Sequence, residues 1–481
     1  MVFSSITFVF FFLPITLLLS VGSWFVVKSF SNTLWATTAL NVSVLFASLC
    51  FYAWGEGLGV CILLATIISS FLCSQGMSVT KDRLLVKRTF FALGIALNLG
   101  LLVWFKYSNF GVEILQSFGF SLAWTQVLLP LGISFFVFQA ISYLSDVYTG
   151  KIEASRDFLV YASYIAFFPQ LVAGPIVRFS EVSDLLKERS LSLDSFSEGA
   201  KRFSLGLSKK VLIANPAGQL ADGIYSLPHD QIFVGNAWLG AMSYGIQIFF
   251  DFSGYSDMAI GLGLMIGLKL PENFNQPYSA KTLTDFWRRW HMTLSRWFRD
   301  YIYIPLGGNR RGSAHLVLNL SIVFLLCGFW HGASWNFILW GALHGLGLTI
   351  ERSMGVKECN TYGWKWVLYR ILVLAFILVG WVLFRAETLD IAGRHIGAML
   401  LLEGKFSLGS IPMAFHSFEV QCALLVGAIW SLSPTSFWQL GHNSRSIIWH
   451  RGRSALLLLS LWLSIGYICI STYNPFIYFR F

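Results

Sequence analysis

DFWRRWHMTLSRWFRDYIYIPLGGNRRG (285–312) and, after an apolar run, CGFWHGASWNFILWGALHG (327–345) decide how this chain is read. They combine a basic aromatic segment, a glycine turn and two histidines set in sequence apolar enough for a bilayer. The flanks are apolar scaffolding with few ionisable groups. Of 481 residues, 56% are hydrophobic and only 12% charged, against about 25% charged in soluble domains. That composition describes an integral membrane protein. The apolar runs are long and continuous, whereas barrel strands alternate over about ten residues, so the expected fold is all-α and polytopic. Aromatics reach 17%, which suits interfacial belts and packed helix faces.

The formal net charge is +10. In this apolar setting it points to cytoplasmic loops rich in Lys and Arg, and to attraction for membrane lipids or an anionic substrate. No nucleic-acid motif is visible, so nucleic acid is not an expected partner. Of the seven cysteines, all but Cys359 lie in apolar runs, and none forms a CxxC pair. Neither a disulfide framework nor a metal site is supported, and small buried hydrophobes are the plain reading.

No Lys or Arg precedes the first apolar run, and Lys28 follows it, which places the N-terminus outside. Runs at about 34–54 and 57–74 meet at GEGLG and return to the basic loop KDRLLVKR (81–88). A span at 89–105, a loop at about 107–126 and a span at 127–148 follow. Pro169, Gly174 and Pro175 then predict a broken or re-entrant segment, because proline removes a helical hydrogen bond. Amphipathic helices occupy the basic stretch from Arg178 to Lys210. The run 236–270 fits one tilted span plus a short helix. It contains Asp251 and Asp257, which either mark a functional site or pair within a break near Gly254. Later spans are expected at about 315–330, 334–351, 366–384, 417–435 and 454–474, with an extracytoplasmic or re-entrant piece at 386–414. The whole chain reads as one membrane domain of about ten to twelve segments, with its catalytic motif region at 285–344.

Taken as one helix, Phe286–Arg299 gathers Arg288, Arg289, Arg296 and Arg299 into an arc of about 100°. The aromatic residues, Trp287 among them, fill the opposite face, and His291 falls on the border. The arginine face can bind lipid phosphate or the phosphates of a soluble donor. His291 can be a satisfied interfacial side chain or a group looking into a polar crevice. His331 lies between tryptophans and beside Gly332, where a helix end lets a side chain enter a cavity. His344 reads as a packed histidine. On one helix it would stand about 20 Å from His331, so at most one of them sits at a given reacting centre. A neutral imidazole can take a proton from a hydroxyl as it attacks a carbonyl. No GxSxG, Walker A or HExxH pattern offers another chemistry.

FWRRWHMTLSRWFRDYIYIPLGGNRRG followed by FWHGASWNFILWGALHG resembles the membrane-bound O-acyltransferases, in particular the bacterial alginate O-acetylation branch. GIQIFFDFSGYSDMAIGLG (245–263), LPLGISFFVFQAISYLSDVYTG (129–150), the stretch at 163–176 and the tail NPFIYFRF (474–481) fit the same branch. The resemblance implies a multi-helix fold with re-entrant helices around a central funnel, in the bacterial inner membrane. It implies a cytoplasmic acyl donor, with acetyl-CoA as the donor substrate and no bound cofactor. A polysaccharide acceptor would be reached through a periplasmic or membrane-anchored acetyltransferase partner protein. It maps the catalytic positions onto His331, as general base, and His291, which would orient or polarise the thioester. Arg288, Arg296, Arg299, Trp287 and Trp330 are the expected substrate-binding residues, the arginines from helix geometry alone. Two other classes stay open at this point: a polysaccharide or lipid-linked transporter or flippase, and a non-catalytic scaffold of an export complex.

Overall fold

Lipid-facing helices with polar seams build most of the structure, a computed structural model describing residues 2–310, 312–356, 363–402, 407–409, 411–434 and 447–477. Arg311, Cys359 and the last four residues of the aromatic tail, all used in the sequence reading, lie outside the described residues. The described residues contain helices and no strand, as the continuous apolar runs require. The chain divides into two compact units, Met1–Phe203 with Ser256–Pro271, and Ser204–Tyr255 with Glu272–Phe481. The motif region 285–344 lies wholly in the second.

In the first unit, α1 (Leu13–Phe30), α2 (Thr33–Glu56), α3 (Val60–Val79) and α4 (Leu84–Ser117) carry the long apolar runs. Gly57–Gly59 forms the expected turn between α2 and α3. These helices are inverted relative to those of a soluble protein. Leu18, Phe25, Phe46, Trp54, Leu72 and Trp104 are exposed, whereas Ser20, Ser48, Thr66, Ser70, Ser74 and Asn98 are fully buried. In lipid, apolar surface gains nothing by turning inward, so small and polar residues line the contacts. Ser70 meets the Tyr161 hydroxyl at 2.6 Å, and the Tyr143 hydroxyl donates to Ser74 at 3.0 Å. The loop expected at 107–126 begins late: α4 runs through Gly111 to Ser117, and Gly119, at φ 90°, turns the chain.

After α5 (Ile133–Thr149) the chain breaks where the prolines predict. α6 (Phe158–Ile165) and the single turn α7 (Phe168–Leu171) are short and almost wholly buried. Buried irregular backbone must find partners. Phe168 N–H donates to Ser48 Oγ, Gln170 to the Tyr164 carbonyl and the Tyr164 hydroxyl to the Val177 carbonyl. The amphipathic helices α8 (Phe179–Lys187) and α9 (Leu193–Ser208) follow as read.

The chain continues with α10 (Asn215–Tyr225), in the second unit, and α11 (Val234–Met265), which belongs to the second unit up to Tyr255 and to the first from Ser256. α11 is one unbroken helix, not a span plus a short helix, and nothing interrupts it at Gly254. That glycine answers a packing need: a Cβ there would stand 2.7 Å from the Gly206 carbonyl oxygen. The two intramembrane acids do pair, each with a cation from another element. Asp257 meets Arg202 at 2.6 Å within the first unit, and Asp251 meets Lys210 at 2.8 Å within the second. The remaining helices are α12 (Leu283–Arg289), α13 (Met292–Phe298), α14 (Ser313–His331), α15 (Trp335–Ser353), α16 (Trp364–Arg385), α17 (Leu389–Met399), α18 (Phe418–Leu432) and α19 (Ile447–Ile470). Among the described residues, five helical stretches are long and apolar enough to cross a bilayer: Phe8–Phe30, Thr33–Val79, Leu84–Ser117, Ser313–His331 and Trp364–Arg385. Phe418–Leu432 and Ser454–Ile470 are shorter apolar helices.

The Gly254 contact is directly testable. Gly254→Ala is expected to lower the detergent melting midpoint by the equivalent of about 1–3 kcal/mol, as overpacking does. Gly22→Ala, where a Cβ meets nothing within 4 Å, should leave the midpoint unchanged or raise it.

Candidate active site

The basic aromatic segment is not one helix. Glu351 begins its first half by accepting the Leu283 and Thr284 amides at 2.6 and 2.9 Å, and Thr282 caps Asp285 N–H at 3.0 Å. Arg289 closes α12 by bonding back to Asp285 at 2.6 Å. Trp290 then turns extended, and His291 takes a left-handed conformation at φ 41°. A non-glycine residue there costs free energy, and the surroundings must hold it. Asn273 does so. Its carbonyl accepts Met292 N–H at 2.9 Å. Its side-chain oxygen meets Thr293 N–H at 3.3 Å, Thr293 Oγ1 at 2.9 Å and His291 Nδ1 at 3.1 Å. α13 resumes one residue later and passes into a π-helical turn, Arg299–Tyr303.

This break corrects the single-helix expectation in two ways. His291 is buried, at 1% exposure, not at the border of an amphipathic face. The arginines no longer share one arc. Arg289 is tied to Asp285, and Arg299 makes a two-point contact with Asp300 at 2.6 and 3.1 Å. Arg288 and Arg299 still line one cavity; Arg296 is not among its lining residues.

The hydrogen bonds also define the His291 tautomer. Thr293 N–H can only donate, so the Asn273 atom it meets is the oxygen, and His291 Nδ1 must carry a proton to bond it. In the neutral ring Nε2 is then a bare lone pair. Nε2 is buried and has no hydrogen-bond partner among the described residues. Burial pushes the imidazole down to about 3, so at neutral pH the ring is uncharged. Such a ring accepts at Nε2. It can orient a substrate N–H or O–H, but its one N–H is bonded to Asn273 and not free to polarise a carbonyl.

His331 is the last residue of α14, and Gly332 leaves it in extended backbone. α14 and α15 approach closely: a Cβ on Gly328 would strike the Phe337 carbonyl, and one on Gly341 the Phe324 carbonyl. This contact seats His331 against Trp340, with ring centres 5.2 Å apart, and against Phe384 at 5.1 Å. Trp330 packs on both imidazoles, 6.1 Å from His291 and 4.9 Å from His331. His331 faces a cavity of about 10 Å³, lined also by Trp290, Trp340, Trp381, Phe384 and Ile477. That is the lower limit for one water.

His344 is not on the same helix as His331, so the spacing of about 20 Å does not apply. Both imidazoles pack on Trp340, His344 at 5.0 Å. His344 also meets Trp287 at 5.1 Å. Trp287 belongs to a larger cavity of about 300 Å³, in the range of small-molecule sites. Arg288, Arg299 and Arg352 give that cavity positive charge, while Phe298 and Phe324 give it apolar wall. The aromatic pair Trp287 and Trp340, 5.7 Å apart, therefore connects the lining of the arginine cavity to that of the His331 cavity. Among the described residues no three His, Cys, Asp or Glu converge as metal ligands.

Sequence reasoning missed Asn273, Arg352, Trp381 and Ile477. Arg352 carried a faint signal as a lone cation at the end of an apolar run. Asn273 carried none, since its partners are 18 to 20 residues away.

Comparison with known proteins defines the class. Residues 152–383 match the membrane-bound O-acyltransferase family. The chain is 40% identical to the probable alginate O-acetylase AlgI of Pseudomonas putida KT2440, over 100% of both chains. It is 34% identical to the peptidoglycan O-acetyltransferase of Helicobacter pylori 26695, over 100% of this chain and 98% of the relative. A more distant match, 31% identical over 47% of this chain and 58% of the relative, is the teichoic acid D-alanyltransferase of Streptococcus thermophilus. The chain belongs to the membrane-bound O-acyltransferase family. It is a multi-pass membrane O-acyltransferase whose relatives at this level of identity include alginate O-acetylases.

The depressed His291 value has a thermodynamic sign. Below about pH 6.5 the unfolded chain binds this proton and the folded chain does not, so stability falls as pH drops toward about 3. His291→Asn keeps a residue that tolerates the left-handed backbone and removes the titration. From pH 7 to 5 the wild type should lose about 2 kcal/mol more than His291→Asn, read as detergent melting midpoints.

Proposed function

We propose that this enzyme, in the bacterial inner membrane, passes an acetyl group from cytoplasmic acetyl-CoA toward O-acetylation of an extracytoplasmic polysaccharide such as alginate. The hand-over runs through a periplasmic or membrane-anchored acetyltransferase partner. The observation that carries this reading is the pair of buried imidazoles that share Trp330 as a neighbour, one of them facing a cavity for a very small group. The activities named for the alginate and peptidoglycan relatives point the same way.

The acceptor hydroxyl oxygen attacks the thioester carbonyl carbon while His331 takes the hydroxyl proton. The tetrahedral intermediate collapses with loss of the C–S bond, and His331 returns the proton to the departing sulfur. The products are an ester and a free thiol, and no charge is left behind. His291 orients a substrate N–H or O–H through Nε2. Arg288 and Arg299, with Arg352, attract the donor phosphates, and Trp287 forms the wall along which its arm lies. Arg296 adds positive charge to the same segment, and Trp330 fixes the spacing of the two imidazoles.

His331→Ala is expected to cut acyl turnover by about 10²–10⁴-fold, the usual worth of a general base. The assay is release of free CoA thiol with transfer of labelled acetyl from acetyl-CoA to the acceptor in proteoliposomes, with inserted protein quantified. Unchanged turnover in correctly inserted His331→Ala would remove His331 from the chemistry. Movement of polysaccharide without acyl turnover by the wild type would remove the transferase reading of this donor.

A further inference from the structure

The cavity beside His331 has one wall that is neither aromatic nor part of the motif region. Most of its lining is locked by ring packing. Trp290 and Trp381 lie 4.8 Å apart, Trp381 and Phe384 5.5 Å, and Trp340 and Phe384 5.2 Å. The aliphatic lining comes from Ile248 on α11 and from Ile477.

Ile477 follows the segment 471–476, which runs without regular structure after α19 and is tied down at several points. The Tyr473 hydroxyl donates to Asp222 at 2.7 Å. Lys210 donates to the Pro475 carbonyl, Phe476 packs on Tyr255 with ring centres 4.9 Å apart, and Ile477 N–H donates to Asp251 at 2.9 Å. Asp251 is itself held by Lys210, and both side chains are at most 2% exposed. In some proteins a buried ion pair is kept for the geometry it fixes and not for stability. Here it fixes the backbone that carries Ile477.

We propose that Ile477 is a specificity-determining residue that limits the acyl group to two carbons, with the Lys210–Asp251 pair as its positioning device. This rests on the acyl-transfer reading of the His331 site. For a thioester carbonyl to react beside His331, the carbon chain behind it must occupy this cavity. The volume of about 10 Å³ admits a methyl, which is about the size of a water. Each further methylene must displace an aromatic ring or Ile477. Packed interiors resist added methylenes, and an oversized substrate in such a pocket is rejected by about 10–200-fold per methylene.

The test compares turnover of acetyl-, propionyl- and butyryl-CoA by the purified protein in nanodiscs. Wild type should prefer acetyl over propionyl by at least about 10-fold. Ile477→Ala should bring that ratio near one and give measurable butyryl turnover; Ile477→Val, which removes one carbon, should move it part of the way. If Ile477→Ala fails to yield a monodisperse particle, the valine variant decides. Wild type that turns over acetyl and propionyl equally, or variants that leave the ratio unmoved, overturn the inference while leaving acyl transfer standing. Wild type that turns over none of the three overturns the donor reading and this inference with it.

Discussion

One carboxamide holds the site together. Asn273 accepts four hydrogen bonds across the Trp290–His291 break, three through its side-chain oxygen and one through its backbone carbonyl. Without that acceptor, His291 would have no reason to leave the helical region, and α12 and α13 would be one basic amphipathic helix. With it, the histidine turns inward among Phe252, Trp330 and Asn273. The same bond sets which ring nitrogen carries the proton. Position, burial and tautomer thus follow from one polar contact, which in a dry interior is worth more than it would be in water.

The rest of the second unit brings His331 to the same place by different means. Two glycines let α14 and α15 approach until backbone meets backbone, the small-residue strategy of membrane helices. The polar groups in this apolar setting are handled by pairing, as at Lys210–Asp251 and Arg385–Asp222. They are also handled by side-chain acceptors for helix starts, as at Glu351 with Leu283 and Thr284. Each places a segment that lines or supports a cavity. In this protein the buried ion pairs and Glu351 are structural pins around an aromatic chamber.

Much of this was legible beforehand. That the chain is an integral membrane protein followed from composition. α14, α15 and α16 fell within a few residues of their expected bounds, because long apolar runs leave a chain few alternatives in lipid. The break around Pro169 was legible because proline acts locally. The failures were non-local. Helical periodicity places Arg288 to Arg299 on one face, and no pattern within those residues reveals an asparagine 18 positions upstream. Gly254 looked like a breaker because glycine is one in isolation; only the opposing Gly206 carbonyl shows that it is a contact. His344 seemed remote from His331 because a single helix was assumed where a turn intervenes at Gly332. Ile477 was visible only as part of the tail NPFIYFRF, and nothing in that tail tells which cavity it lines.

The central claim is that His291 and His331 form one reacting centre across Trp330. A double-mutant cycle on acyl turnover tests it most directly, comparing His291→Asn, His331→Ala and the combined variant at equal amounts of inserted protein. Residues that act as a unit are strongly non-additive, so the combined variant should be little worse than His331→Ala alone. Losses that multiply, as for two independent sites, would contradict the account.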